Sequence, residues 1–418
     1  MERKPLRSLC RLGVGALLTL ANLKIMFGFC KISIFVLVLK AYKYRLTPTR
    51  EQAILINKHI GSARFVYNLA LETKQMAYSG SRINLDCFAL IKQLPELKDE
   101  CTWLKEINSQ SLQQPIRNLD NAFTRFFKGQ GDFPKFKKKS NGGSFNVPQN
   151  VILGDGKLIV PKFKEGIGIV LHRPTKGTIR QATISKTPTG KYFASILCET
   201  GEENKKPKPI KDKTTVGIDL GIKSFLVASD GQTFDNPKFL RKAQSKLKYI
   251  QRKYSKHKGK RTKHRLSLLH EKVANKRKDF LHKVSMQLIK NHDSIATETL
   301  QVSNMLKNHK LAQSISDAGW GVFVSMLEYK ASWYGVNILK IGTFEPSSKT
   351  CSHCGSINKE LTLQDREWTC GSCSTVLDRD INAAFNIKTF ALRNYVSGTE
   401  TKTRNELLTM VKVLTSEA

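Results

Sequence analysis

Apolar residues change their spacing several times along this chain, and each change marks an element. Ala41-Tyr-Lys-Tyr-Arg-Leu46 alternates apolar and basic side chains, which predicts a strand. Thr47-Pro48-Thr49 closes it with a turn and opens a helix near Thr49. From about residue 50 to 128 the pattern is helical: Ile54, Ile56, Ile60, Ala63, Val66, Tyr67 and Leu71, then Leu112, Ile116, Leu119, Phe123 and Phe126, read as core. Short β runs follow at 151–153, 158–161, 168–171 and 191–197. With the first strand they predict a small barrel interrupted by the helical segment. Glu202 to Lys213 is charged and carries two prolines, so a linker and a domain boundary are expected there.

Beyond the linker, Thr215 to Gly231 reads as strand, glycine turn and strand. Residues 238–290 are helical, with Gly259 dividing them into two helices. Ser294 to Leu300 is a strand ending in a carboxylate. Trp320, Phe323, Leu327, Ala331 and Tyr334 share one helix face, and Val336 to Ile341 is the next strand. A hairpin followed by strands alternating with helices predicts a mixed α/β sheet. The expected class is therefore multidomain α/β and α+β.

Charge narrows the partners. The chain has 418 residues, with 70 Lys+Arg against 34 Asp+Glu and a formal net charge of +36. A polyanion is the first partner to consider and an anionic membrane surface the second. Residues 238–290 hold 19 Lys/Arg and only two acids, Glu271 and Asp279. Phosphate contact is expected there, with Lys253, Arg261 and Lys276 as candidates. Gly129 to Gly143 interleaves phenylalanines with lysines. Contact with a nucleic-acid strand and a merely solvated basic loop are equally compatible with that composition. Leu12 to Leu39 is apolar behind four basic residues, as in a leader or membrane anchor, but Lys24 and Lys31 cut it short of a span. An over-extended start, with translation beginning near Leu39, is the expectation for residues 1–38. No membrane association and a cytoplasmic, nucleoid-associated location are expected.

Two knuckles, Cys351-Ser-His-Cys354 and Cys370-Gly-Ser-Cys373, lie 15 residues apart. Four thiolates at that spacing suit a structural Zn²⁺, with Gly355 and Gly371 freeing the turns. A redox CxxC motif is the alternative, but such motifs usually come singly. The other five cysteines show no pattern, which fits a reducing compartment. Three acids sit where the coarse fold can bring them together: Asp219 in an apolar strand, Glu298 at a strand end, and Asp380 at the start of a helix over 381–387. Converging carboxylates would hold two Mg²⁺ ions for phosphodiester hydrolysis, hard oxygens suiting a hard cation. Each acid has an ordinary alternative: a turn residue, a surface glutamate, and for Asp380 a helix N-cap. Asp378 competes for the third place and is assigned an outer role.

These motifs resemble those of the TnpB (OrfB) family of insertion-sequence proteins. The resemblance rests on Gly217-Ile-Asp-Leu-Gly221, Ala274 to Ser285, Phe344 to Gly355, Leu377 to Ala384 and the start at Leu39 to Thr49, and covers roughly residues 39 to 390. It implies a wedge-like β-barrel over 39–205 with a helical recognition insert at about 50–128, a linker at 206–213, and an RNase H-like (RuvC) nuclease over 214–395. A zinc ribbon at 347–376 and a tail at 396–418 complete the expected organisation. It further implies an RNA-guided DNA endonuclease with Asp219, Glu298 and Asp380 catalytic. Its partners would be target DNA, a guide RNA from the transposon end, and the element's separate transposase. Thr299 departs from the family's usual Asp or Asn after the glutamate, which would alter hydrogen bonding near Glu298. The acid order Asp, Glu, Asp disfavours a strand-transfer transposase. A nucleic-acid-binding regulator with a weakened nuclease site is the non-enzymatic alternative.

Overall fold

The computed structural model describes residues 37–139, 142–362 and 364–415, so the leader expectation lies outside the described residues. Strand β1 (Leu37–Thr47) runs into helix α1 (Arg50–Ser81), whose start is set by a capping box. Gln52 N donates to Thr49 Oγ1 at 3.3 Å, and Thr49 N to Gln52 Oε1 at 3.1 Å. Short helices α2 (Cys87–Lys92) and α3 (Leu94–Glu100) lead to α4 (Ser109–Phe127). Val66, Leu71, Leu104, Leu112, Ile116 and Leu119 form the core of this helical lobe.

β1 then joins β2 (Gly143–Val147), β3 (Ile152–Gly154), β4 (Lys157–Val160), β5 (Phe163–Val170), β6 (Thr178–Lys186) and β7 (Tyr192–Glu203) in one sheet of order β2-β6-β7-β1-β5-β4-β3. Neighbouring strands pair antiparallel, and the edge strands are β2 and β3. Alternating residues of β1, β6 and β7, among them Tyr44, Ile184 and Ile196, are fully buried under Ile56 and Ile60 of α1. β2 and β6 carry no clear strand signal in the sequence. Their apolar residues are interspersed with Ser, Asn, Thr and Gln, and it is pairing with β7 and with each other, under α1, that places them in the core.

A second sheet, of order β10-β9-β8-β11-β12, is built from β8 (Thr215–Asp219), β9 (Ser224–Ala228), β10 (Thr233–Asp235), β11 (Ser294–Glu298) and β12 (Asn337–Ile341). β8, β11 and β12 are parallel, while β9 and β10 fold back antiparallel. Gly259 separates α5 (Phe239–His257) from α6 (Lys260–Asn291), as expected. Short α7 (Val302–Met305) and α8 (Ala312–Ala318) precede α9 (Trp320–Tyr334). Leu281 and Leu288 of α6 and Phe323 and Leu327 of α9 pack with Val216, Phe225 and Ile295 of the sheet. Ile387 and Phe390 of α10 (Arg379–Thr415) pack with Ala296 and Ile341 in a separate core. α10 is far longer than the 381–387 segment legible in the sequence.

Among the described residues no helix is long and apolar enough to cross a membrane. The mixed α/β class is as expected.

Candidate nuclease centre and metal sites

β8 and β11 are adjacent parallel strands in a register that pairs Ser294 with Thr215 and Thr297 with Ile218. Both strands therefore end side by side on a carboxylate, Asp219 and Glu298. The carboxyl edge of parallel strands is where open α/β sheets present their ligands. The third acid arrives on α10, which lies directly against β8. Gly217 makes that approach possible, because a Cβ there would meet the Ala384 carbonyl oxygen at 2.1 Å and Lys388 N at 2.7 Å.

The structure brings Asp219, Glu298 and Asp380 within electrostatic reach of one another. Burial, then the Glu298 carboxylate and the Asp380 carboxylate, push Asp219 up to about 7, against a smaller pull from Arg379. Ser347 Oγ donates to Glu298 Oε1 at 2.6 Å. Asp380 faces Arg366, whose Nη1 lies 3.4 Å from Oδ1 and 3.5 Å from Oδ2. Asp378 is the helix cap: its Oδ1 accepts from Asp380 N at 3.0 Å and Ile381 N at 2.9 Å. The capping role open to Asp380 in the sequence thus falls to Asp378, and the Asp380 carboxylate is left to pair with Arg366. Thr299 Oγ1 donates to the Ile341 carbonyl at 2.7 Å, tying the end of β11 to β12.

The four knuckle cysteines converge, their sulfurs all within 4.8 Å of one another. Cys351 Sγ lies 3.7 Å from Cys373 Sγ, and Cys354 Sγ 3.5 Å from Cys370 Sγ. A tetrahedral zinc with Zn–S of about 2.3 Å separates its sulfurs by about 3.8 Å, so the donor set fits that ion. The Ser356 hydroxyl, 3.1 Å away, and the amides of Cys373 and Ser372 push the Cys370 thiol down to about 5, favouring the ligating thiolate. Leu361 and Trp368 pack beside the cluster, and β13 (Glu367–Thr369) pairs with β14 (Val376–Asp378). Gly355 takes the left-handed conformation, at φ 81°, in the first turn. In the second turn that role falls to Ser374, at φ 58°, and not to Gly371.

Sequence reasoning missed what joins the two centres. Asn382 is buried, accepting from Ser352 N at 2.8 Å and donating to the Thr350 carbonyl at 2.7 Å. Asn386, also buried, donates to the carbonyls of Ser347 and Thr350 at 2.7 and 2.6 Å. A continuous path thus runs from the first knuckle through α10 to Ser347 and Glu298. The available signal was two asparagines four apart on an otherwise apolar helix face.

Lys253, Arg261 and Lys276 are all exposed on the α5–α6 pair, well separated in sequence from the acids. One i,i+4 pair does form there, Lys283 with Asp279 at 2.8 Å, and Glu271 reaches Lys191 at 3.1 Å. A cavity of about 640 Å³ is lined by Lys223, Lys238, Arg241, Lys310 and Arg366, the last of which pairs with Asp380. Its one carboxylate, Asp317, is taken up by the amides of Leu240 and Arg241 and by Arg277 Nη2.

The fold and these sites define a mixed α/β protein with a four-thiol cluster joined to an acidic centre. Its fold is similar to that of the Cas12f1 protein in a Cas12f1–sgRNA–target DNA complex, with a TM-score of 0.51 at 16% identity, covering 81% of this chain and 83% of that one. Residues 195–309 match the family described as "Probable transposase", and 320–387 match "Cas12f1-like, TNB domain". Residues 38–82 match "Helix-turn-helix domain", although in the structure they form β1 and a single long helix. A Streptomyces pristinaespiralis protein named "Putative RNA-guided DNA endonuclease" is 38% identical over 361 residues, covering 84% of this chain and 89% of that protein. The similarly named InsQ of Escherichia coli K12 is 31% identical over 377 residues, covering 84% and 91%. The chain belongs to the TnpB (OrfB) family.

Proposed function

We propose that this chain is a transposon-encoded, RNA-guided DNA endonuclease that hydrolyses phosphodiesters with Mg²⁺ at Asp219, Glu298 and Asp380. One observation carries the reading: two neighbouring parallel strands end in carboxylates that feel a third on the crossing helix, and burial together with these neighbours drives Asp219 up to about 7. Three acids coupled in this way, only Asp380 of them paired with an arginine among the described residues (Arg366), are a donor set that a divalent cation would neutralise. When bound, a pair of Mg²⁺ ions would supply an activated water and stabilise the leaving oxygen. The chain's own part is to hold the donors. Ser347 orients Glu298, Gly217 lets α10 bring Asp380 close, and Asp378 caps that helix, which leaves the Asp380 carboxylate free of the capping role. Zn²⁺ would be held by Cys351, Cys354, Cys370 and Cys373 in a structural role.

In this reading the second sheet and its helices, residues 214–395, are an RNase H-like (RuvC) nuclease bearing the zinc ribbon 347–376. Residues 39–205 are a wedge-like barrel with a helical recognition insert, and 206–213 are the linker. The partners are target DNA, a guide RNA from the transposon end and the element's separate transposase, met in the cytoplasm at the nucleoid. Lys253, Arg261 and Lys276 grip phosphates. The names of the relatives support the activity, and the fold likeness supports the architecture.

The test is cleavage of duplex DNA matched to the RNA that co-purifies with the protein, with a randomised flanking motif. Asp219→Ala, Glu298→Ala and Asp380→Ala are each expected to abolish cutting while RNA binding survives. Activity should require Mg²⁺ or Mn²⁺. Full cutting by Asp380→Ala, or cutting that ignores the RNA sequence, overturns the proposal. Tight RNA and DNA binding by an inert wild-type chain would favour the regulator instead.

A further inference from the structure

The loop after α4 is the strongest feature that the acid and zinc centres do not use. Phe127 is 77% exposed, Phe133 41% and Phe136 49%, three large apolar rings within ten residues. They do not hang from a loose strand. Phe133 meets Phe123 and Phe126 edge-on, with centroids 5.5 and 5.3 Å apart, and Phe127 stacks on Phe123 at 6.2 Å. Pro134 is buried. Asn68 of α1 clamps the Lys137 backbone from both sides, accepting from its amide at 2.8 Å and donating to its carbonyl at 3.1 Å. Lys137 Nζ in turn sits 3.9 Å from the centre of the Tyr67 ring. Such fixing presents the rings to solvent at little further entropic cost when something binds.

Charge selects the occupant. Lys128, Lys135, Lys138 and Lys139 are exposed around the rings, and the one acid of the loop, Asp132, is already 3.4 Å from Lys135. Exposed phenylalanines ringed by an excess of cations suit a ligand with flat apolar faces joined by anions. That is an unpaired nucleic-acid strand, whose bases stack on rings while its phosphates meet lysines. A duplex hides its base faces in its own stack and does not fit.

We propose that Phe127, Phe133 and Phe136 form a stacking platform for the bases of a single-stranded nucleic-acid segment, with Lys135 and Lys138 holding its phosphates. The site lies on the helical lobe, on elements that carry none of the three acids, and it does not depend on cutting. DNA and RNA share the chemistry, and the experiment separates them.

Phe127→Trp is made in the full-length protein as purified, and its added emission is followed while (dT)12 or (U)12 is titrated, with binding read independently by anisotropy. Quenching in step with binding is expected. Quenching by one oligonucleotide alone assigns the platform to that nucleic acid. In parallel, Phe127→Ala with Phe136→Ala should weaken binding of that oligonucleotide by about tenfold or more for each stacked ring removed. Both rings are exposed, so the zinc content and melting temperature of that variant should match wild type. Binding without quenching, unchanged affinity in the alanine variant, or no binding of either oligonucleotide overturns the proposal. Failure to cleave DNA would bear on the nuclease reading and leave this one standing.

Discussion

Asp219 couples the candidate centre to pH. Its usual value of 3.8 rises to about 7 in the fold, so between those values the folded chain holds a proton that the unfolded chain has lost. Stability without added magnesium should therefore fall as pH rises from about 4 to about 7, then level off. Asp219→Asn should flatten that profile, and added Mg²⁺ should raise the melting temperature more at pH 8 than at pH 5.5. Melting curves that fail to separate wild type from the Asn variant across this window would show that Asp219 is not crowded. Ser347 is the second residue of consequence, because its hydroxyl is the neutral donor that holds Glu298 at 2.6 Å. Ser347→Ala should lower Mg²⁺-dependent cutting by about 10–100-fold with zinc retained, as expected when the group orienting a metal ligand is removed. An unchanged Mg²⁺ dependence would rule out that positioning role.

Elements, more than single residues, decide whether the acids meet. α10 carries Asp380, packs Ile387 and Phe390 on the sheet, and holds the zinc knuckle through Asn382 and Asn386. It comes close to β8 at Gly217. Gly217→Ala should push helix and strand apart, costing about 1–3 kcal/mol from overpacking and moving Asp380 away from Asp219. Thermal melting and metal titration together would detect both effects; a variant as stable and active as wild type would mean that helix and strand are not tightly packed in solution. Removing zinc should act through the same helix. Cys351→Ser should release the metal, unfold the ribbon locally and reduce cutting, since the Thr350 and Ser347 carbonyls that α10 grips belong to the knuckle and its approach. Metal analysis that finds no zinc in the wild-type chain would rule out that role.

For the whole molecule, a charge of +36 favours a polyanionic partner, and residues 238–290, with 19 Lys/Arg, carry much of it on the α5–α6 pair. Charge reversal at Lys253, Arg261 and Lys276 should weaken duplex binding alike for all sequences. The slope of log affinity against log salt should flatten by about 0.9 for each phosphate that is no longer neutralised. Weakening confined to one sequence would point instead to base readout by these helices. The basic cavity beside Asp317 and the Arg366–Asp380 pair extend positive potential to the edge of the acids.

Much of this was legible in the chain itself. Cysteine spacing specified the four-thiol cluster because two tight turns constrain their own geometry. Period-two and helical runs marked β1, β8, β11, β12 and the α5–α6 division at Gly259, since burial of one face is written in local order. An acid inside an apolar strand was visible at Asp219 and one ending a strand at Glu298; that β8 stops at Asp219 was not. Tertiary structure alone decided the rest. β6 exists because β7 is there to pair with, and β2 because β6 is. Asp378 rather than Asp380 became the cap, because β14 delivers its side chain to the first amides of α10, and Ser374 rather than Gly371 took the left-handed position, where its amide closes the turn on the Cys370 carbonyl. Convergence of the acids, the asparagine ties from helix to knuckle, and the tilt of Phe133 against Phe123 and Phe126 all join residues distant in sequence or held by a non-repeating loop. No periodicity encodes such contacts; they arise only when the packed elements set the distances.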